Sequence, residues 1–562
     1  MSLLALIFSN AAVLLGAHAA LRRLRTGEPS TDLVIYLLLR LGLISLVVLA
    51  AGAAKLLTPV AFAVAGVAGT AAFLALGEHR RLPRFRLPEV GTGALVFAGV
   101  LVVRFLLQVW FFAPFQRDAL TYHLPKIGEW IQHGGFTSEW GLDLRSTFPS
   151  GFELIEAWWA APLRHDVLIE MAGLEFLLLG AAAAADIARR LDAPPKFAFL
   201  AALLYALTPG ICLQATSCLN DGPVAALWTA TAALALRTVP LPLLLIPIGL
   251  GIGVKPTYAY GLPGIALLWW FVARRRDPGT RAATIAGALA LLVGSVWYLR
   301  NAIVYGNPIH PMGRSGISVQ AGHVAQRLGP SFSGLLENLY RLADSRMYDH
   351  LEPYDPELVL ISGWGVAAMA AGVIALFHTL RTVPLMRRIA GGYVLALLVV
   401  LSLVVPDPWY MRYVLFFPGL FAVATAKAAE SARAVVLVAW IAMGVQMVGT
   451  MIPGRFPIGG MTDLVSMSWK QRTFYRHPTL DGVEAVGFIE SPADEVKCYP
   501  LYRPDYSRRV VFLRPTSPDD LIEILRREQL TILVSLKPHP MVQPSIDRGR
   551  LVSLHPGIFG VR

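Results

Sequence analysis

Apolar runs of about twenty residues recur along most of this chain, and nothing else in it limits the fold so sharply. Twenty residues at about 1.5 Å each cross a hydrocarbon layer of about 30 Å as a helix. Lipid offers no partner to a free N–H or C=O, so a run that enters it must be helical. Strands of an outer-membrane barrel would alternate in polarity, and these runs do not. Only 15% of the 562 residues are charged, against about 25% in soluble domains. The expected fold is therefore an all-α polytopic membrane protein. Its fourteen expected spans are 3–21, 33–52, 57–77, 91–113, 167–188, 196–213, 221–237, 240–254, 257–273, 281–299, 358–380, 389–405, 411–427 and 433–452. The first lacks both a basic leader and a clear cleavage site, so it reads as a retained span.

Orientation follows from the basic residues. The connections 21–32, 78–89, 188–196, 273–281 and 381–388 are rich in arginine and fall on one side, which the positive-inside tendency makes cytoplasmic. The net charge of +12 is then topology, and no nucleic-acid partner is expected. On this reading the bilayer itself is the main partner, and the chain belongs to a plasma membrane. Loops 114–166 and 300–357 and the tail 455–562 all fall on the extracytoplasmic side. The tail reads as a small α/β domain. Residues 508–513 and 530–536 form strands. Residues 517–529 form a helix opened by Ser517, Pro518 and two acids. The three cysteines have no metal or disulfide spacing and receive no role.

The informative residues are polar ones at the outer ends of spans. Asp118 follows the fourth run, with Tyr122 and His123 one turn on. Leu120, Leu124, Ile127 and Ile131 make a stripe able to lie on the bilayer surface. Asn220 and Asp221 form an outer turn, whose plainest reading is an Asx cap. Lys255 ends a glycine-rich run; it either snorkels or serves a site. Arg300 and Asn301 end the tenth span, and Asp407, Arg412 and Tyr413 lie in another outer turn. Cations at headgroup depth suit a lipid phosphate, and a carboxylate beside them suits a general base.

In their order and on their common face, "RDALTYHLP" (117–125), "CLNDGPVAALW" (218–228), "GLGIGVKP" (249–256), "WYLRNAIVYGNPIHP" (297–311) and "WYMRYVLFFPG" (409–419) resemble the outer-face motifs of the GT-C-fold glycosyltransferases. That superfamily includes protein O-mannosyltransferases and lipid A aminoarabinose transferases. The resemblance covers about residues 91–452, leaves 1–90 as three additional helices, and is looser over the tail. The chain departs from the pattern at Asp118-Ala119, where the family has an Asp-Glu pair.

The resemblance implies an inverting enzyme of a bacterial inner membrane. It would move a sugar from a polyprenyl-phosphate donor to a glycan, lipid or protein acceptor. Asp118 and Asp221 would be the catalytic acids. Tyr122, His123, Lys255, Arg300, Asn301, Arg412 and Tyr413 would bind substrate. No cofactor is required. A divalent metal is compatible with His123, His133 and His165 in one loop, although no ligand spacing demands it. Other classes stay open: a polyprenyl-linked glycan polymerase or ligase, a transporter or flippase, and a scaffold without a base.

Overall fold

The computed structural model describes residues 2–24, 26–81, 90–114, 116–137, 144–237, 239–271, 280–311, 330–343, 363–404, 410–451, 478–489 and 497–562. Every apolar run expected to span holds a helix. The first four are α1 (Ser2–Leu24), α2 (Pro29–Ala53), α3 (Pro59–Ala75) and α4 (Thr92–Phe111). Then come α5 (Leu124–His133) and α6 (Gly151–Ala160), both inside the expected first loop. The bundle continues with α7 (Met171–Arg190), α8 (Pro195–Ala206), α9 (Pro209–Gln214), α10 (Asp221–Ala235), α11 (Leu241–Val254), α12 (Leu262–Trp270) and α13 (Arg281–Tyr305). It closes with α14 (Phe332–Ala343), α15 (Val366–Thr382), α16 (Pro384–Leu403), α17 (Pro418–Ala428) and α18 (Arg433–Met451).

Among the described residues, six helices are long and apolar enough to cross a membrane: α1, α2, α4, Asp166–Arg190, α13 and α16. Several other expected spans are broken by their own sequence. Pro209 splits 196–213 into α8 and α9. The ninth run opens as a 3-10 turn, Pro256–Gly261, and the thirteenth as another, Tyr410–Val414. A proline one to two residues into a helix has no partner to lose, whereas deeper inside it removes a backbone bond.

Glycine decides the closest contact in the bundle. Gly249 and Gly253 of α11 lie against Ala290 and Gly294 of α13, and a Cβ at any of these three glycines would collide with the facing backbone. Charge enters the bundle as well. Arg40 of α2 grips Glu175 of α7 with Nε at 3.0 Å and Nη2 at 2.8 Å, and Nη2 also reaches Asn10 of α1 at 2.8 Å. Trp159 of α6 donates to the same Glu175 at 3.0 Å. Both Arg40 and Glu175 stand near the middle of expected spans, 33–52 and 167–188, where sequence reasoning finds no clear charge. The Arg40–Glu175 pair links four helices, and its Nε and Nη2 are satisfied while Nη1 is buried without a hydrogen-bond partner.

The first loop is folded rather than open. A π-helical turn, Ala119–His123, leads into α5, and α6 inserts against α2, α7 and α11. Leu120, Leu124, Ile127 and Ile131 are 0–3% exposed. The stripe expected to lie on the bilayer is instead buried within the protein, and the tail packs on the neighbouring side of α5, at Gly128, Glu129 and Gln132. The 3-10 turn Tyr499–Tyr502 packs on α5, its Tyr502 ring pressed on Gly128. Tyr502 donates to Glu129 at 2.6 Å, Gln132 to the Arg508 carbonyl at 3.0 Å, and the Asp166 N–H to the Pro504 carbonyl at 2.8 Å.

The tail is the expected α/β unit with more strands than the sequence reveals. Its strands are β1 (Ala485–Phe488), β2 (Arg509–Phe512), β3 (Ile532–Val534), β4 (Leu551–His555) and β5 (Ile558–Val561), in the order β2-β1-β3-β5-β4. The first three are parallel, with Val486 beside Val510; β5 runs antiparallel to β3 and β4. The helix α19 (Pro518–Arg527) is capped by Ser517, whose Oγ accepts from Asp520 N–H at 3.1 Å. A short α20 (Val542–Asp547) follows β3.

Candidate functional site

Five segments far apart in sequence meet at one end of the bundle. Asp118 stands just beyond α4 at the head of the π turn; Asp221 opens α10, with Asn220 at the N-cap position. Lys255 ends α11, Arg145 lies in the 3-10 turn Leu144–Thr147, and Arg412 lies in the turn before α17. Arg412 bridges the two acids, with Nη1 3.1 Å from Asp118 Oδ2 and Nε 3.6 Å from Asp221 Oδ2. Lys255 Nζ takes the other oxygen of Asp221 at 2.5 Å, and Arg145 Nη1 lies 3.7 Å from Asp118 Oδ1. Two rings wall the group. Lys255 and Arg412 sit 4.9 and 5.4 Å from the Tyr413 ring centre, and Arg145 sits 4.5 Å from that of Tyr122.

Three cations thus face two carboxylates. Asp118 remains 19% exposed, whereas Asp221 is 3% exposed. Burial works to raise the Asp118 pKa, but Arg412, Arg145, His123 and Lys255 outweigh it and hold the carboxyl well below its usual range. In this state Asp118 is a firmly ionised anion. Lys255, which the sequence leaves between snorkelling and function, turns inward onto Asp221.

A second network lies behind the first. His123 lies against Tyr122, ring centres 4.3 Å apart and tilted by 39°, and its Nδ1 bonds Glu153 Oε1 of α6 at 3.0 Å. Lys126 of α5 donates to the same oxygen at 2.8 Å and to Ser150 at 3.0 Å. Burial alone would push the Glu153 pKa up; Lys126 and His123 overcome it and hold it low. Three residues on, Glu156 is equally buried, at 0%. Burial, then its neighbour Glu153, pushes the Glu156 pKa well up, which favours its protonated form.

Arg300 and Asn301 do not join the first cluster. Arg300 donates to Asn301 Oδ1 at 3.0 Å and to the Thr147 carbonyl at 2.5 Å, and Asn301 donates to the Thr147 and His310 carbonyls at 3.1 and 3.2 Å. They pin the turn that carries Arg145 to the end of α13. His133 bonds the Glu129 carbonyl at 2.9 Å, and His165 accepts from the Val167 N–H at 3.0 Å. Among the described residues no three His, Cys, Asp or Glu side chains are grouped to hold a metal. Asp407 lies outside the described residues.

Sequence reasoning passes over Arg145, Lys126 and Glu153. Arg145 has no local motif and is not legible. Glu153 is, in part: two carboxylates three apart in the otherwise apolar "GFELIEAWWAAP" (151–162) must either face water or find cations. Compared with known proteins, the chain matches no family model, no curated protein and no solved structure.

Proposed function

We propose that the chain is a membrane glycosyltransferase that moves a sugar, with inversion, from a polyprenyl-phosphate donor to an acceptor hydroxyl or amine. What supports this reading is the convergence of Asp118, Arg145, Asp221, Lys255 and Arg412 at span ends. An excess of cation with one part-exposed carboxylate suits a phosphate leaving group and an acceptor proton. Arg412, Arg145 and Lys255 hold the lipid phosphate, and Tyr122, His123 and Tyr413 wall the sugar. Asp221 keeps Lys255 and Arg412 in place, while Arg300 and Asn301 hold the Arg145 turn. No cofactor enters the scheme.

Donor binding also prepares the base. An arriving phosphate competes with Asp118 for Arg412 and Arg145. As they shift toward it, Asp118 loses the neighbours that depress its basicity and becomes able to take the acceptor proton. The same reading assigns the shorter apolar helices to complete fourteen spans, three additional at the N-terminus and eleven GT-C-like, within a bacterial inner membrane. The cluster and tail then face the extracytoplasmic side. A periplasm-active reporter fused after Arg562 tests the sidedness; a cytoplasmic signal overturns it.

The central test is Asp118→Asn in an assay of sugar transfer from synthetic polyprenyl-phosphate donors, normalised to folded protein. A loss of about 10²–10⁴-fold is expected for a general base. Unchanged turnover per folded molecule sinks the assignment. If Asp221→Asn is inactive while Asp118→Asn is not, the two roles are exchanged. A glycan polymerase or ligase would instead turn over only polyprenyl-diphosphate glycans, and a flippase would leave every donor intact.

A further inference from the structure

A cavity of about 320 Å³ lies at the opposite end of α11 and α13 from the charged cluster, between those helices and the pair α1 and α2. That volume is within the range of small-ligand sites. Its lining is apolar, including Leu38, Gly42, Leu289 and Val293, except at one end, where Arg23 stands. Along α13 it runs from Ala282 to Val293, about 16 Å at helical rise. That is about half the hydrocarbon thickness, the depth of one leaflet. Ile285 and Leu289 are 50% and 40% exposed, so the space opens sideways to surrounding lipid. Gly42 leaves the room inside it: a Cβ there would meet nothing within 4 Å.

The charge at the mouth selects the occupant. Neighbouring Arg22 is committed to Glu78, with Nη1 at 2.9 and 2.8 Å from the two carboxylate oxygens. Arg23 is exposed at the cavity rim. We infer that this cavity is a site for one anionic phospholipid of the leaflet on the Arg23 side. One acyl chain lies between α2 and α13, and the headgroup phosphate rests on Arg23. A basic residue at this depth favours anionic over zwitterionic lipid, and the chain gains by leaving no void in the bundle.

The test uses the full chain, stripped of lipid in detergent. Phosphatidylglycerol or phosphatidylcholine with identical chains is added back. Native mass spectrometry and thermal unfolding are read. One phosphatidylglycerol per chain should survive into the gas phase and raise the unfolding temperature, with about fivefold preference over phosphatidylcholine. Gly42→Leu should fill the cavity and abolish both effects while unfolding no earlier than wild type without lipid, since it relieves a helix-interior glycine. Ala286→Phe, from the opposite wall, should do the same. Arg23→Gln should bind both lipids equally. Equal binding of both lipids by the wild type, retention of lipid by both cavity-filling variants, or an equal shift from glycerol phosphate alone would each overturn the inference.

Discussion

Two aspartates in this chain each sit between two arginines, and they differ in where the trio is placed. On the tail, Asp519 pairs with Arg548 at 3.1 Å and with Arg550, and all three side chains are 41–63% exposed. At the end of the bundle, Asp118 pairs with Arg412 and Arg145, all three 17–19% exposed. On the tail, water and salt supply most of what a partner supplies, so the trio is replaceable. In the bundle each charge needs the others, because desolvation is not refunded by solvent. The same trio of one aspartate and two arginines therefore makes a solvated surface in one region and a buried, mutually dependent cluster in the other.

If burial is what separates them, the largest effect belongs to the still more deeply buried Glu153–Lys126 pair behind the Asp118 trio. Glu153→Gln should cost about 3–5 kcal/mol, since it strands Lys126 in the interior. Chemical denaturation in detergent measures this, and a loss similar to that of a surface change would break the comparison. Next comes Asp118→Asn, expected to cost about 1–3 kcal/mol, as Arg412 keeps Asp221 but loses its nearer partner. Both carboxyls have depressed pKa values in the folded state. Their contribution is therefore complete above the unfolded value, about pH 4–4.5, and is lost as pH falls below it.

Glu156 sharpens the comparison by running the other way. Its raised pKa means that the folded state holds a proton which the unfolded state releases above about pH 4.5. Stability should then fall as pH rises past that point, by up to about 1.4 kcal/mol per pH unit. Glu156→Gln should flatten this slope above about pH 4.5, read as unfolding midpoint against pH. An unchanged slope means that Glu156 is not the neutral acid. The smallest effect is that of Asp519→Asn, which should leave the unfolding midpoint where it was at any salt concentration. A clear loss there would show that the tail trio is not the solvated one.

Most of the helical layout is legible in the sequence. Each apolar run holds a helix, and Ser517 and Pro518 open the tail helix where the capping pattern puts it. Strands β1, β4 and β5 are not legible, because Gly487, Ser553 and Gly560 interrupt their apolar runs, whereas β2 and β3 hold unbroken runs at 510–513 and 532–534. The stripe at Leu120–Ile131 has the expected spacing and a different partner. An amphipathic face announces that it must be covered, while what covers it is set by tertiary packing, here inside the protein and not on lipid.

The span-end charges follow the same division. Their residue types and their common end of the bundle are in the sequence, since a charge that hydrocarbon rejects collects where a span stops. Which of them meet is not. Lys255 and Arg412 close on Asp221, while Arg300 turns away to hold the Thr147 turn and, through it, Arg145. Local chemistry sets where helices run and where charge can stand, because those are one-dimensional constraints of lipid and backbone. Pairing is decided by how helices pack around glycines such as Gly249 and Gly294. A contact between residues 118 and 412 is a property of that packing and of no segment of the sequence by itself.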